Sequence, residues 1–328
     1  MQQRQFGQLK VCENYHKVES RQAIFSGFAV RDRPCYERPS MRRAVIDIGT
    51  NTVKVLVADV QQGQVVPVLA KDRTTRLGEG VNEHGRLSAA AIVRTLQAID
   101  EFHAETKALG SIDVIALTTS ACRDAANRNE FFDAVRQKCG LEVQLISGDR
   151  EAELIFHGVS SDPEWTNAPL LVMDVGGGSA EFIQGRDGKM ELFKSLPLGA
   201  LRLTEQFGEG RLAELREHLH KVLRPALAGY KIGEGQMIGT GGTISTFARM
   251  EWGAVDHVKI SREAMLESVQ RLDALPLAER KKVSGLPPER ADIIVAGGAV
   301  FLIAMEVLGA DELTVSVRNL RYGALQAG

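Results

Sequence analysis

Apolar and polar positions along the chain fall into two similar series. The first opens with an apolar run at 44–46, breaks at Asp47-Ile-Gly-Thr-Asn-Thr52 and resumes at 53–57. The second opens with an apolar run at 170–173, breaks at Asp174-Val-Gly-Gly-Gly-Ser179 and resumes at 180–183. Each reads as strand, tight glycine turn, strand. A third strand over 65–69 follows the first hairpin, then the loop Arg76-Leu-Gly-Glu-Gly80. Ser88 is placed to cap a helix whose Ile92, Leu96 and Ile99 share one face, with Gly110 as its stop. A buried strand over 112–117, a helix through Phe131, Phe132 and Val135, and a strand over 142–146 come next. A helix opened by Ser147-Gly148-Asp149 and carrying Glu151 and Ile155 completes the series.

The pattern then starts again. Strands are expected at 170–173, 180–184 and 191–196, followed by helices at about 200–229 and a strand at 237–238. A glycine-rich turn, further helices, a strand at 313–317 and a short last helix close it. A βββαβα half that occurs twice predicts duplicated α/β domains with a cleft between them. The change of domain is expected near 155–168, where Ser160-Ser-Asp-Pro163 and Asn167-Ala-Pro169 cluster. This gives domain I over 41–160 and domain II over 161–317. Residues 1–40 keep no period of 2 or 3.6 and carry no apolar signal core, so they are expected to be a disordered extension preceding a fold that begins near Met41.

Composition narrows the function classes. The 328 residues are 44% hydrophobic and 25% charged, which suits an ordinary globular chain of about two domains. No apolar run approaches the roughly 20 residues of a membrane span. Cys12, Cys35, Cys122 and Cys139 have no zinc or CxxC spacing, which fits a reducing cytoplasm. A net charge of −2 and an aromatic content of 5% argue against a nucleic-acid binder, so any polyanion must be held by a local basic cleft. No membrane partner is expected. A homodimer is compatible with the sequence, which carries no determinant of oligomeric state.

In turns of the two hairpin types, glycines allow positive φ and close approach, leaving consecutive N–H groups as an anion-binding nest. One such turn is ordinary hairpin chemistry. Two at matching places in a duplicated chain point to a phosphate gripped from both sides. The candidate phosphate-binding residues are therefore Asp47, Gly49, Thr50, Asn51 and Thr52 in the first turn, and Gly176, Gly177, Gly178 and Ser179 in the second. Gly239-Thr-Gly-Gly-Thr243 follows a strand and opens a helix, which adds Gly241, Gly242 and Thr243 as a third anion-facing turn, unless it is a simple connection. Arg123 comes off the end of a buried strand, where α/β ligands bind; Arg76 and Arg202 are weaker candidates of the same kind. Ala296-Gly-Gly-Ala299 inside an apolar helix reads as close packing, because each glycine costs about 1 kcal/mol there. Glu151 at a helix start would by itself be a dipole partner, and Glu181 lies two residues past the second nest. His84, His103, His157 and His257 have no ligand spacing and read as surface or packing residues.

These strings, in this order, closely resemble the exopolyphosphatase/guanosine pentaphosphate phosphohydrolase (Ppx/GppA) family of the actin-like, sugar-kinase-like and Hsp70-like superfamily. The match includes Ala121-Cys-Arg-Asp-Ala-Ala-Asn127, Ile146-Ser-Gly with Glu151-Ala, and Arg290-Ala-Asp-Ile-Ile-Val-Ala-Gly-Gly298, besides the three glycine turns. The resemblance implies two ribonuclease-H-like domains closing over a polyphosphate or pppGpp, with the helix at about 318–328 folded back onto the first domain. It implies Glu151 as general base and Asp174, Gly176 and Glu181 at the reaction centre. It also implies Mg²⁺ nearby, held by Asp174 with Asp47 or Glu181. The chain resembles the short form, without the further helical domain of longer members. Where the family usually has two acids before the alanine and an arginine after it, this chain has Arg150-Glu151-Ala-Glu153, so Arg150 and Glu153 are expected to pair or face solvent. The expected activity is release of orthophosphate from polyphosphate. The alternatives are 5′-hydrolysis of pppGpp to ppGpp, an ATP-dependent kinase on the same fold, and a ppGpp-binding regulator without turnover.

Overall fold

In the computed structural model, which describes residues 41–111, 113–165, 167–233 and 235–327, both hairpins form and each starts a mixed sheet. The expected extension over 1–40, with Cys12 and Cys35, lies outside the described residues. In the first half, β1 (Met41–Ile48) pairs antiparallel with β2 (Thr52–Gln61), and β2 with β3 (Gln64–Thr74). β4 (Asp113–Thr118) and β5 (Val143–Leu145) add in parallel beyond β1, in the order β3-β2-β1-β4-β5. The second half repeats this with β6 (Leu170–Val175), β7 (Ala180–Arg186), β8 (Lys189–Leu196), β9 (Gln236–Thr240) and β11 (Glu312–Ser316), in the order β8-β7-β6-β9-β11. β10 (Lys259–Ser261) pairs antiparallel with β11 at the far edge. Its three residues are too few to set a hydrophobic period, which is why the sequence pattern does not reveal it.

Helices cover the sheets. In the first half these are α1 (Val81–His84), α2 (Ala89–Ala108), α3 (Ser120–Asp124), α4 (Arg128–Cys139) and α5 (Gly148–Ser160). In the second they are α6 (Ala200–Phe207), α7 (Leu212–Ala226), α8 (Gly242–Trp252), α9 (Arg262–Asp273), α10 (Leu277–Arg280), α11 (Ile294–Leu308) and α12 (Leu320–Gln326). The expected caps form: the Ser88 hydroxyl accepts from Ala91 N and the Ser147 hydroxyl from Arg150 N, both at 3.2 Å. α11 runs unbroken through Gly297 and Gly298, so the packing reading of that string holds. A Cβ on Gly297 would stand 2.7 Å from Thr243 Cγ2, and one on Gly298 2.8 Å from Val269 Cγ2.

Strand alternation divides the core. Ala44, Ile46, Val55 and Val57 face a cluster under α2 and α4, while Val45 and Leu56 face the opposite way. Both faces of β1 and β2 are thus covered, which accounts for their nearly continuous apolar runs. The face carrying Val45 and Leu56 joins Leu154, Ile155 and Phe156 of α5 and Tyr322 and Leu325 of α12. The same cluster takes in Val172 of β6 and Ile183 of β7. α5 and α12 therefore sit in a core common to both sheets, and α12 packs against β1, β2 and β3. This shared core fixes the start of α5, and so Glu151, relative to both hairpins.

α5 and α12 cross so closely that only glycine fits. A Cβ on Gly158 would collide with Asn319 O, and one on Gly323 would lie 2.8 Å from Leu154 C. Helix propensity favours alanine over glycine by about 1 kcal/mol, yet Gly158→Ala should destabilise the chain by about 2 kcal/mol, because backbone atoms must move apart. Denaturant unfolding checks the sign: the expected result is a lower midpoint at unchanged slope.

Candidate active site

The two glycine turns are built alike. Gly49 N donates to Thr52 O at 3.1 Å, and Gly176 N to Ser179 O at 3.0 Å. Behind each turn a second segment pins its carbonyls. Asn51 O accepts from Thr75 N and Arg76 N (3.0 and 2.9 Å), and Thr50 O from Gly78 N (2.9 Å). Gly176 O accepts from Ala200 N (2.9 Å) and Gly177 O from Leu201 N and Arg202 N (3.0 and 3.1 Å). Gly178 O accepts from Arg202 Nε (2.9 Å). A trans peptide directs its carbonyl and its N–H to opposite sides. Pinning three consecutive carbonyls at the back therefore turns the N–H groups of Gly177, Gly178 and Ser179 to the front. Among the described residues these three, with Thr50 N–H and Asn51 N–H, find no acceptor within the fold.

The glycines serve close approach rather than positive φ, which corrects half of the expectation. Gly49, Gly176, Gly177 and Gly178 are absent from the left-handed region; of the expected site glycines only Gly241, at φ 89°, enters it. A Cβ on Gly177 would lie 2.9 Å from both Asn51 N and Asn51 Cβ, and one on Gly178 2.8 Å from Thr50 Oγ1. The two cups meet face to face.

The hairpin registers place a matched pair of side chains beside each cup. Asp47 stands opposite Lys54 across β1–β2, and Asp174 opposite Glu181 across β6–β7. Glu151, in the first turn of α5, enters the same cleft and is held by Arg123, whose Nη1 donates to Glu151 Oε2 at 2.8 Å and to Ile146 O at 3.1 Å. Arg150 donates to Glu153 Oε2 at 2.6 Å on the outer side of the helix, so the altered order of charges leaves Glu151 facing inward.

Four carboxyls in so small a space are hard to ionise together. Burial pushes Glu151 up to about 7; Arg123 opposes the shift, while Asp47 and Asp174 add to it. Burial likewise takes Asp174 up to about 6, opposed by Lys54 and reinforced by Asp47. Glu181 is driven well above the usual carboxylate range by burial and by Glu151 and Asp174, although the Ser195 hydroxyl donates to it at 2.8 Å. Asp47 is raised by burial against the pull of Lys54 and Arg321. A buried carboxyl with a pKa near 7 is poised to exchange a proton at neutral pH.

The cleft brings together Asp47, Gly49, Thr50, Asn51, Thr52, Glu151, Asp174, Gly176, Gly177, Gly178, Ser179, Glu181, Gly242 and Thr243 around a cavity of about 70 Å³. Several expected phosphate ligands sit elsewhere. Arg123 stands behind Glu151 and holds it. Gly241 lies outside the lining of this cavity, and its lack of a side chain spares Asp174 Oδ1 a collision. The Thr243 hydroxyl donates to Val175 O at 3.0 Å and is thereby engaged within its own half. Arg76 and Arg202 span the cleft to carboxylates of the opposite half.

Sequence reasoning missed Lys54, Thr119, Arg290 and Asn319, which also line the cavity. Arg290 is buried, donates to Thr52 Oγ1 at 3.2 Å and sits 3.6 Å from Asp72; burial lowers its pKa. Gly242 makes room for it, since a Cβ there would lie 2.5 Å from Arg290 Nη1. For Lys54 a signal existed: it follows Asp47 by the same spacing at which Glu181 follows Asp174. A second cavity of about 390 Å³ adjoins the first through Lys54, Gly242, Arg290 and Asn319, and carries Arg249 and Arg321.

The donor set suits Mg²⁺ of one kind only. Among the described residues no three His, Cys, Asp or Glu side chains converge to hold an ion outright. Asp47, Asp174 and Glu181 are hard oxygen donors, and Asn51 Oδ1 is a buried oxygen without a hydrogen-bond partner. Mg²⁺ keeps most of its waters and takes one or two carboxylates plus phosphate oxygens. The residues fit an ion shared with a bound phosphate.

Several known proteins resemble this chain in sequence and in fold. The pattern of the Ppx/GppA phosphatase family matches residues 56–327. "Exopolyphosphatase 1" of Mycobacterium tuberculosis is 31% identical over 300 residues, covering 87% of each chain. "Exopolyphosphatase 2" of the same organism is 31% identical over 317 residues, covering 86% of this chain and 97% of its own. Among solved structures, the Aquifex aeolicus member of the Ppx/GppA family superposes with a TM-score of 0.74 at 30% identity, covering 88% of this chain and 97% of that one. An exopolyphosphatase from Cytophaga hutchinsonii does so with a TM-score of 0.79 at 27% identity, covering 87% and 96%.

The raised Asp174 has a consequence for stability. Its folded pKa lies above its ordinary value, so the stability tied to its bound proton is complete below about pH 4 and is lost as pH rises through about 6. Asp174→Asn, which carries no titratable proton, should therefore gain roughly 1–3 kcal/mol over the parent at pH 8 and much less at pH 4.5. Thermal unfolding at the two pH values, without divalent ions or phosphate, reads the difference. An equal gain at both would refute the assignment.

Proposed function

The chain belongs to the Ppx/GppA phosphatase family, and from that premise we propose that it hydrolyses the terminal phosphoanhydride of inorganic polyphosphate and releases orthophosphate. The observation that carries this reading is the entry of Glu151, with its raised pKa, into one small cavity walled by both amide cups. Phosphoryl transfer asks a protein mainly for positioning and charge neutralisation. The cups would supply the first through N–H donors already turned to the front. Lys54 and Arg290 would supply the second. Arg123 occupies Glu151 Oε2, so Oε1 is the atom that would take the proton of the attacking water, a contribution of about 10²–10⁴-fold. Asp174, with Asp47 or Glu181, would hold Mg²⁺ through water, and the ion would neutralise charge on the phosphate oxygens.

The remainder of the substrate would lie in the adjoining cavity. Its cationic residues Lys54, Arg249, Arg290 and Arg321 suit a run of phosphates, which supports the reading of polyphosphate rather than pppGpp as the substrate. The same cups and base would act on the 5′-triphosphate end of pppGpp. Phosphate release measured side by side on long polyphosphate, tripolyphosphate, pppGpp and ATP separates these readings. The expected order puts the two inorganic chains first. Preference for pppGpp would move the assignment to the 5′-phosphohydrolase, and no release from any would leave a binding protein. Glu151→Gln should lower kcat by about 10²–10⁴-fold while substrate still binds; an unchanged kcat would remove Glu151 from the reaction.

A further inference from the structure

Two arginines each join a cup of their own half to a carboxylate of the opposite half. Arg76, in the loop after β3, backs the first cup with its N–H on Asn51 O at 2.9 Å. Its guanidinium crosses the cleft to Asp292, with Nη1 2.7 Å from Oδ2 and Nη2 2.8 Å from Oδ1, and to Glu289 O at 3.1 Å. Arg202, in the first turn of α6, backs the second cup with its N–H on Gly177 O and its Nε on Gly178 O, at 3.1 and 2.9 Å. The rest of its fork crosses to Asn82 Oδ1 at 2.9 Å and to Asp124. Glu205, one turn further along α6, accepts from Gly80 N at 2.9 Å and reinforces the same rim.

The arrangement is reciprocal: one arginine from each half, each tied to its own cup and to the other half. Arg76 also holds a left-handed backbone, φ 51°, a conformation uncommon for a non-glycine residue. Bonds on both sides hold it there: its N–H on the cup, its side chain on Asp292. Parting the halves would take Asp124 and Asn82 from Arg202 and free its fork to leave Gly178 O. The Gly178–Ser179 peptide, unpinned, could then turn its carbonyl toward the phosphate, which an anion rejects.

We propose that Arg76 and Arg202 are positioning residues that couple closure of the halves to the shape of the phosphate cups, so that the cups are complete only when the cleft is shut. The identity of the ligand rests on the phosphatase reading above; the coupling itself rests on geometry.

Hydrogen exchange on the full chain tests it. Asp124→Ala with Asp292→Ala removes both carboxylate partners across the cleft, leaving the weaker bonds to Asn82 and Glu289 O, and leaves every bond behind the cups in place. The double variant should exchange the amides that pin the cups, those of 75, 76 and 78 and of 200–202, at least tenfold faster than the parent, with 89–108 of α2 unchanged as the control for folding. Phosphate release from tripolyphosphate should fall at least tenfold in kcat. Arg202→Lys, which keeps the charge and loses the fork, should loosen the amides of 200–202 in the same way. If the double variant does not fold, Asp124→Ala alone reads the second cup. Exchange within twofold of the parent in both backing segments, 75–78 and 200–202, would overturn the proposal, whatever the activity. If the parent releases no phosphate from any substrate while the backing segments of the variant exchange faster, the coupling stands and the phosphatase reading falls.

Discussion

Because a trans peptide cannot offer its carbonyl and its N–H to the same side, a loop becomes an anion site only when something occupies its carbonyls. Here that task falls to backbone and side-chain donors of a neighbouring segment, residues 75–78 for the first cup and 200–202 for the second. The other features follow from it. The glycines are required because the cups must approach each other and their backing segments within backbone distance. The shared core of α5 and α12 is required because the general-base candidate must come to the rim of both cups from a third direction. Hairpin, backing segment and shared helix form one unit.

The carboxyl cluster works against stability and is held by the same frame. Burial raises the proton affinity of all four; Asp47 and Asp174 add to the shift of Glu151, Asp47 to that of Asp174, and Glu151 and Asp174 to that of Glu181. Lys54, Arg123 and Arg321 offset part of that repulsion. A bound phosphate with its cation would change the balance again, which is the arrangement expected where electrostatics is prepared for a charged guest rather than for the empty fold.

Much of this was legible in the chain itself. The hairpins and most of the strands were readable because both faces are buried and the apolar runs are long. Ser88 and Ser147 announced their helices by cap chemistry. The cup residues were readable because the same string occurs twice. What escaped depends on register or on distant contact. Lys54 acquires its place opposite Asp47 only through hairpin pairing. Arg290 reaches Thr52 from a part of the chain with no local periodicity to announce it. Arg76 and Arg202 carry the charge that sequence reasoning noticed, yet the structure spends that charge on carboxylates across the cleft. The glycines of the cups were identified for positive φ and for close approach, and they serve only the second.

The central claim is that both cups hold one phosphate together. Titration of orthophosphate into the ¹⁵N-labelled chain, followed by amide chemical shifts, addresses it most directly. The account predicts that the amides of Thr50 and Asn51 and those of Gly177, Gly178 and Ser179 move with a single shared dissociation constant. Movement of one cup alone, or two separate constants, would contradict it.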